Sequence, residues 1–260
     1  PPLDPDRIVG GYFPPRDGLA KALRAAQAQA ARAASRGARF VGNTDVIDVV
    51  EQNGEVRGVR TSTGVVDADI VVCCTGFWGR EFGSRVGLTI PLVPMAHQYA
   101  YTTPLESRRG VNSELAEASL PILRHQDHDL YYREHGDRLG IGYYGHRPMP
   151  ADVGALDYDT TISLDEMPSK LMFTPDDFAD AWEQTVSLIP ELSTGKVDDG
   201  FNGIFSFTPD GHSVVGEHRE LKGFWVAEAV WVTHSAGIAR TVAEWMVDGT
   251  PGVDTHEFDL

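Results

Sequence analysis

His97 stands in the run Pro94-Met95-Ala96-His97-Gln98-Tyr99, among residues that favour a strand. An imidazole with an ordinary pKa of ~6.5 can take a proton or hold a substrate carboxylate. A hydrogen-bonded core histidine fits the same pattern. Tyr131 and Tyr132 lie in a second such stretch. Neighbouring strand side chains point to opposite faces, so at most one of the two faces a given pocket, with ring packing as the competing reading. Near the end, Trp231-Val232-Thr233-His234-Ser235-Ala236-Gly237 leads into an amphipathic helix. The free N–H groups of a helix start attract anionic or electron-rich ligand atoms; Ser235 serves equally well as a plain N-cap.

Other clusters carry less. His125 and His128, beside Asp127 and Asp129, sit in a polar loop rather than on a ligand-bearing helix, so no metal site is expected. Ser213 and His234 imitate part of a hydrolase triad, without the Gly-x-Ser-x-Gly elbow that exposes a nucleophile. The chain is read as lacking both the Gly-x-Gly-x-x-Gly dinucleotide fingerprint and the phosphate-binding P-loop.

These residues need elements to hold them. The 260 residues are 42% hydrophobic, enough for a sizeable core and against disorder throughout. A net charge of −16 argues against a nucleic-acid partner, which needs a basic surface. No apolar run reaches the ~18 residues of a membrane span, and residues 1–6 lack the basic start and apolar centre of a secretory signal. The two cysteines, Cys73 and Cys74, are adjacent; they exclude a disulfide framework and read as core thiols of a cytoplasmic protein.

The alanine-rich residues 19–35 predict a helix capped by Asp17, with Leu19, Leu23, Ala26, Ala30 and Ala33 on one face and Gly37 past its end. A strand is expected over 38–41. Residues 46–51 and 56–61 predict a hairpin around Asn53-Gly54, with a second turn at Gly64. The apolar run 70–74 reads as a strand buried on both faces. Stretches 95–103, 130–134 and 139–144 alternate as an antiparallel sheet would. A helix is expected over 175–189, stopped by Pro190, and another over 237–247, ending at Gly249. The outline is an α/β part at both ends, residues 1–87 and 211–260, around a sheet-rich insertion, residues 88–210.

Taken together, Tyr12-Phe13-Pro14-Pro15-Arg16-Asp17-Gly18, Cys74-Thr75-Gly76-Phe77-Trp78, His97-Gln98-Tyr99, Leu130-Tyr131-Tyr132-Arg133-Glu134, the run from Phe201 to Gly211 and the run from Ala227 to Gly237 resemble the amine-oxidising flavoproteins. That family includes the sarcosine and dimethylglycine oxidases and dehydrogenases, and the likeness leans towards the bacterial dimethylglycine oxidases. It implies an α/β (α+β) fold, with a partial Rossmann-like FAD-binding region and an inserted, largely antiparallel substrate-binding domain. It further implies that Val46 lies near the adenosine portion of FAD and that Val232, Thr233, His234 and Ser235 wrap the isoalloxazine ring. His97 and Tyr131 match the family's paired active-site positions.

The activity so implied is oxidation of a small N-methylated amino acid, dimethylglycine or sarcosine, by hydride transfer from an N-methyl carbon to flavin, giving an iminium. His97 would be base or proton relay, and Tyr131 would position substrate. The family's amino-terminal phosphate-binding segment, its histidine for covalent FAD attachment and its carboxy-terminal folate-binding region have no counterpart here. The chain is therefore read as an internal fragment, with tetrahydrofolate relevant only to a parent carrying that last region. The alternative is a non-catalytic interaction or assembly module of the same fold, without a competent FAD site.

Overall fold

A computed structural model describes residues 2–113, 115–156 and 167–260. The chain divides into two units: Ala20–Pro94 with Phe205–Leu260, and Pro1–Leu19 with Met95–Ile204. The first contains two three-stranded sheets, and the second is organised around a six-stranded sheet.

The three-stranded unit opens with α1 (Ala22–Ala34), rich in the best helix former, yet none of its residues is buried. It starts after Lys21, which makes no side-chain cap, while Asp17 accepts the N–H of Gly18 instead; the expected Asp17 cap is corrected. Residues 38–41, expected as a strand, form none, and Phe40 and Val41 remain 66% and 74% exposed. Among the described residues no strand pairs with them, and an extended segment without a ladder gains nothing over hydrated backbone.

β1 (Val46–Gln52), β2 (Glu55–Thr61) and β3 (Gly64–Asp67) form an antiparallel meander in that order. Asn53 and Gly54 adopt φ of 57° and 76°, the left-handed pair that a two-residue hairpin turn demands. β4 (Val71–Cys73) and the short α2 (Gly79–Ser84) follow.

The six-stranded unit then takes up β5 (Val93–Thr102), β6 (Leu123–His125), β7 (Leu130–His135), β8 (Arg138–Tyr143), β9 (Lys170–Met172), α3 (Ala179–Leu188) and β10 (Val197–Phe207). The strand order is β6-β7-β8-β5-β10-β9, and β10 carries the chain back across the unit boundary. The helix expected over 175–189 begins as a 3-10 turn, Pro175–Phe178, and continues as α3. Phe178, Ala181 and Leu188 pack with Leu130, Tyr132 and Ile141 on one sheet face. Each large apolar side chain so buried contributes roughly 1.5–3 kcal/mol. The opposite face is thereby left to other residues: Tyr131, Arg133 and His135 alternate with buried Leu130, Tyr132 and Glu134 along β7.

Back in the three-stranded unit, β11 (Val214–Glu217), β12 (Phe224–Glu228) and α4 (Ser235–Asp248) complete the chain. β12 is central, antiparallel to β11 and parallel to β4, with Val226 opposite Cys73. β4 is thus an edge strand. Cys73 packs into the cluster of Phe82, Ile90 and Leu92, while Val72 stays 38% and Ile70 47% exposed. The expectation of burial on both faces is corrected, and so is that of two core thiols, because the next side chain, Cys74, points out of the cluster and is exposed. α4 lays Ile238, Val242 and Trp245 against Val215 and Trp225, and ends at Gly249 with φ 78°. Among the described residues no helix is long and apolar enough to cross a membrane.

Candidate active site

The face of the six-stranded sheet opposite α3 is built around a strip of missing side chains. On β8, Gly142 lies between Tyr99 of β5 and Tyr131 of β7, and Gly140 between Tyr101 and Arg133. A Cβ on Gly142 would overlap the ring of Tyr131, and one on Gly140 the hydroxyl of Tyr99. The glycines therefore form a floor over which neighbouring rings lean. Gly140, Gly142 and Gly145 do have Gly-x-Gly-x-x-Gly spacing, which corrects the reading that the chain lacks it. Gly140 and Gly142 lie on β8 and Gly145 just past its end, with no helix opening there, so the spacing carries no phosphate loop.

His97 and Tyr131 meet on this face. His97 Nε2 lies 3.2 Å from the Tyr131 hydroxyl, and Nδ1 lies 3.3 Å from Nε2 of His146. Tyr144 stacks on the His97 ring, with centroids 4.0 Å apart and planes 17° from parallel. His97 is only 3% exposed; that burial, helped by the nearby His146, holds its pKa down to about 3. Burial first, and then neighbouring Tyr144, raise the pKa of Tyr131 well above the ordinary phenol value. Both groups are neutral near pH 7. Tyr132 points the other way, into the core, with its hydroxyl 3.1 Å from Thr185 Oγ1.

Period-two spacing from His97 and Tyr131 leads to groups that the sequence reading passed over. Tyr99 and His135 belong to the same face, hydroxyl to Nε2 at 2.8 Å, and burial followed by Arg133 lowers His135 to about 4. The guanidinium of Arg124, opposite Tyr131 on β6, lies 5.8 Å from the centre of that ring. His146 and Arg124 carry no local sequence signal, since one follows a strand end and the other sits on a short strand.

The other expected residues lie in the three-stranded unit, one on a strand and four at the entrance of a helix. Val46 opens β1 in the meander and is 43% exposed. Val232, Thr233, His234 and Ser235 are exposed at the entrance of α4. His234, not Ser235, is the N-cap residue, with no side-chain cap bond, and Ser235 Oγ donates to the Val232 carbonyl at 2.8 Å; the simple Ser235 cap is corrected. This helix start has no acid in its first turn and open space at Gly237. Such a terminus fits an electron-rich ring edge or an anion, so the residues present suit a flavin. Trp231 packs with Phe205 and Phe207 just before it.

A buried carboxylate was also missed. Glu228, 1% exposed at the end of β12, accepts the Thr75 N–H at 2.5 Å, the Thr75 hydroxyl at 2.9 Å and the Cys73 thiol at 3.3 Å. Burial outweighs these donors and raises its pKa. Ser213 Oγ donates to the Ala229 carbonyl at 3.3 Å, which does not serve a triad. The rings of His125 and His128 meet edge-on at 4.7 Å, and no group of three or more potential metal ligands occurs among the described residues.

Comparison with known proteins completes the picture. The FAD dependent oxidoreductase family matches residues 1–245. Mouse mitochondrial dimethylglycine dehydrogenase is 28% identical over 264 residues, covering 100% of this chain and 29% of its own length. The 4-methylaminobutanoate oxidase (formaldehyde-forming) of Paenarthrobacter nicotinovorans is 29% identical, over 97% of this chain and 29% of its own. The chain thus spans less than a third of these relatives. The structure of L-proline dehydrogenase from P. horikoshii superposes with a TM-score of 0.71 at 21% identity, over 91% of this chain and 58% of that one, and shows the shared fold. With the family match running through nearly the whole sequence, this chain belongs to the FAD-dependent oxidoreductase family.

Proposed function

We propose that this chain provides substrate-handling and part of the flavin-holding residues for oxidation of a small N-methylated amino acid, dimethylglycine or sarcosine. The observation that carries the reading is the pair of buried His97 and half-buried Tyr131, 3.2 Å apart on the glycine-floored face. An amino-acid substrate arrives as a zwitterion, and its ammonium proton must leave before the nitrogen lone pair can assist C–H cleavage. His97, held neutral by burial, has a lone pair available at neutral pH, and the Tyr131 hydroxyl orients the amine beside it. Arg124 offers the cation that a substrate carboxylate needs.

Val232, Thr233, His234 and Ser235 would hold the isoalloxazine ring, aided by the α4 amides, and Val46 the adenosine end. FAD, when bound, would accept the hydride from the N-methyl carbon and so leave an iminium product. The pyrophosphate site would come from polypeptide beyond these residues; the complete lack of buried residues on α1 supports such a covering segment. A folate-binding region in the parent would take the one-carbon unit on to tetrahydrofolate. The two free thiols, Cys73 and Cys74, support a reducing, cytoplasmic setting.

The test is the anaerobic visible spectrum of the full-length protein before and after dimethylglycine or sarcosine. Bleaching of the oxidised-flavin band supports the reading. A flavin band indifferent to both amines defeats the substrate assignment, and the absence of any flavin band favours the interaction or assembly module.

A further inference from the structure

We propose that His146 receives the substrate's ammonium proton through His97, so that Tyr131, His97 and His146 form a one-way proton relay from the aromatic face to solvent. The inference rests on the amine-oxidation reading above and adds a proton destination to it. His146 acts through His97 and is a positioning and proton-accepting residue.

The hydrogen-bond geometry sets the direction. His146 Nδ1 lies 2.7 Å from the backbone carbonyl of Arg147, and a carbonyl only accepts, so Nδ1 carries the hydrogen. Neutral His146 then has its lone pair on Nε2, which faces His97 Nδ1 at 3.3 Å. His97 must donate from Nδ1, and its own lone pair falls on Nε2, 3.2 Å from the Tyr131 hydroxyl, which donates to it. Every group in the row therefore donates towards the next, and the row ends on a fixed carbonyl.

Proton transfer along it balances. The ammonium proton passes to the Tyr131 oxygen as the Tyr131 proton passes to His97 Nε2. The His97 Nδ1 proton passes to His146 Nε2. Tyr131 and His97 end neutral, the amine is neutral, and the positive charge rests on His146. His97, nearly sealed from water and with its pKa held near 3, passes the proton on without keeping it. His146 is only half-buried, so it can return the proton to water.

The charged and titratable groups around the row suit that end point. Tyr144 stacks on His97, and the Tyr143 ring meets His146 edge-on at 6.1 Å. The Tyr143 hydroxyl donates to Asp180 at 3.1 Å. Arg147 pairs with Asp177 at 2.8 and 3.0 Å, and that carboxyl is held below its usual range by Arg147 and Thr174, with His146 also contributing. Arg124 is the cation at the opposite, substrate end of the row.

The test combines histidine nitrogen NMR of the full-length holoenzyme with stopped-flow flavin reduction in His146→Gln. Glutamine can still accept from His97 but cannot pass a proton on. The relay requires His97 to appear as the Nδ1–H tautomer and to stay neutral across the pH range in which the flavin is reduced. In His146→Gln, flavin reduction by dimethylglycine should slow by about 10-fold or more, lose its acid limb, and recover in part with added imidazole. An Nε2–H tautomer at His97 overturns the proposal. So does a His146→Gln enzyme with unaltered rate and pH profile while His97→Ala is slow, an outcome that leaves the proposed function standing. A wild-type flavin left oxidised by both dimethylglycine and sarcosine sinks the substrate reading, and the relay with it, whatever the tautomers show.

Discussion

The six-stranded unit and the three-stranded unit solve the burial of their elements differently. In the first, the sheet is covered on one face by Phe178 and α3, and on the other its rings interlock over Gly140 and Gly142. His97, Gln98, Thr102, Glu134 and Asn202 are buried there as polar groups. In the second, α1 buries nothing, β3 is exposed at every residue, and α4 buries only Thr241 and Val242. Both units hold buried polar groups with their own residues, Glu228 in the second, but the second also keeps a whole helix, α1, with no buried residue and a whole strand, β3, exposed throughout. On the proposed function, substrate handling would use the first unit, and cofactor-holding or further polypeptide the second.

The sharpest way to break that contrast is to remove packing. Phe178→Ala should cost about 3–5 kcal/mol in denaturant unfolding, because a ring 1% exposed leaves a cavity in the six-stranded unit. A small loss would mean that this core is less closely packed than its burial indicates. Next in size is His97→Ala, expected to slow flavin reduction by ~10²–10⁴-fold in full-length protein that is shown by circular dichroism to remain folded. Gly142→Ala comes after it at about 1–3 kcal/mol, since the added methyl must displace the Tyr131 ring; thermal unfolding and flavin reduction should fall together.

The two units should also answer pH in opposite senses. His97 and His135 are held at about 3 and 4, below the ordinary histidine value. Their contribution is fully present above pH ~6.5 and is lost as pH falls through the folded values. Glu228 is raised by burial, so its contribution is present at low pH and is lost as pH rises through its folded pKa. His97→Gln should flatten the acid side of a stability–pH curve and Glu228→Gln the other side; the same response from both would erase the distinction. The smallest effect is expected for Leu23→Ala in the 260-residue chain. Leu23 is 63% exposed, so the change should stay within about 0.5 kcal/mol, and a clear destabilisation would show that α1 is covered after all.

Much of this was legible wherever a period was strict. The hairpin around Asn53-Gly54, the strands β5, β7 and β8 with the alternating burial of β7, and the stop of α4 at Gly249 all follow from local steric and hydrophobic rules. The opposite facing of Tyr131 and Tyr132 was legible too, because side-chain alternation is a property of the strand itself. Residues 38–41 misled because apolar composition favours a strand only when a neighbour supplies hydrogen bonds. The run 70–74 misled similarly, since an apolar stretch does not state whether its strand lies at the centre or the edge of a sheet.

The sequence by itself determined the hairpin and most of the longer strands and helices, which residues share a strand face, and, through resemblance, that His97 and Tyr131 deserve attention as a pair. Only the tertiary structure decided that Gly140 and Gly142 lie beneath the rings, that Glu228 gathers Thr75 and Cys73, and that His146 closes the row behind His97. The physical reason is range. Propensity and alternation act over a few residues along the chain, whereas these contacts join positions tens of residues apart, and Glu228 to Thr75 over 153. Such partners are chosen by strand order and register, which belong to the whole sheet and to no single segment.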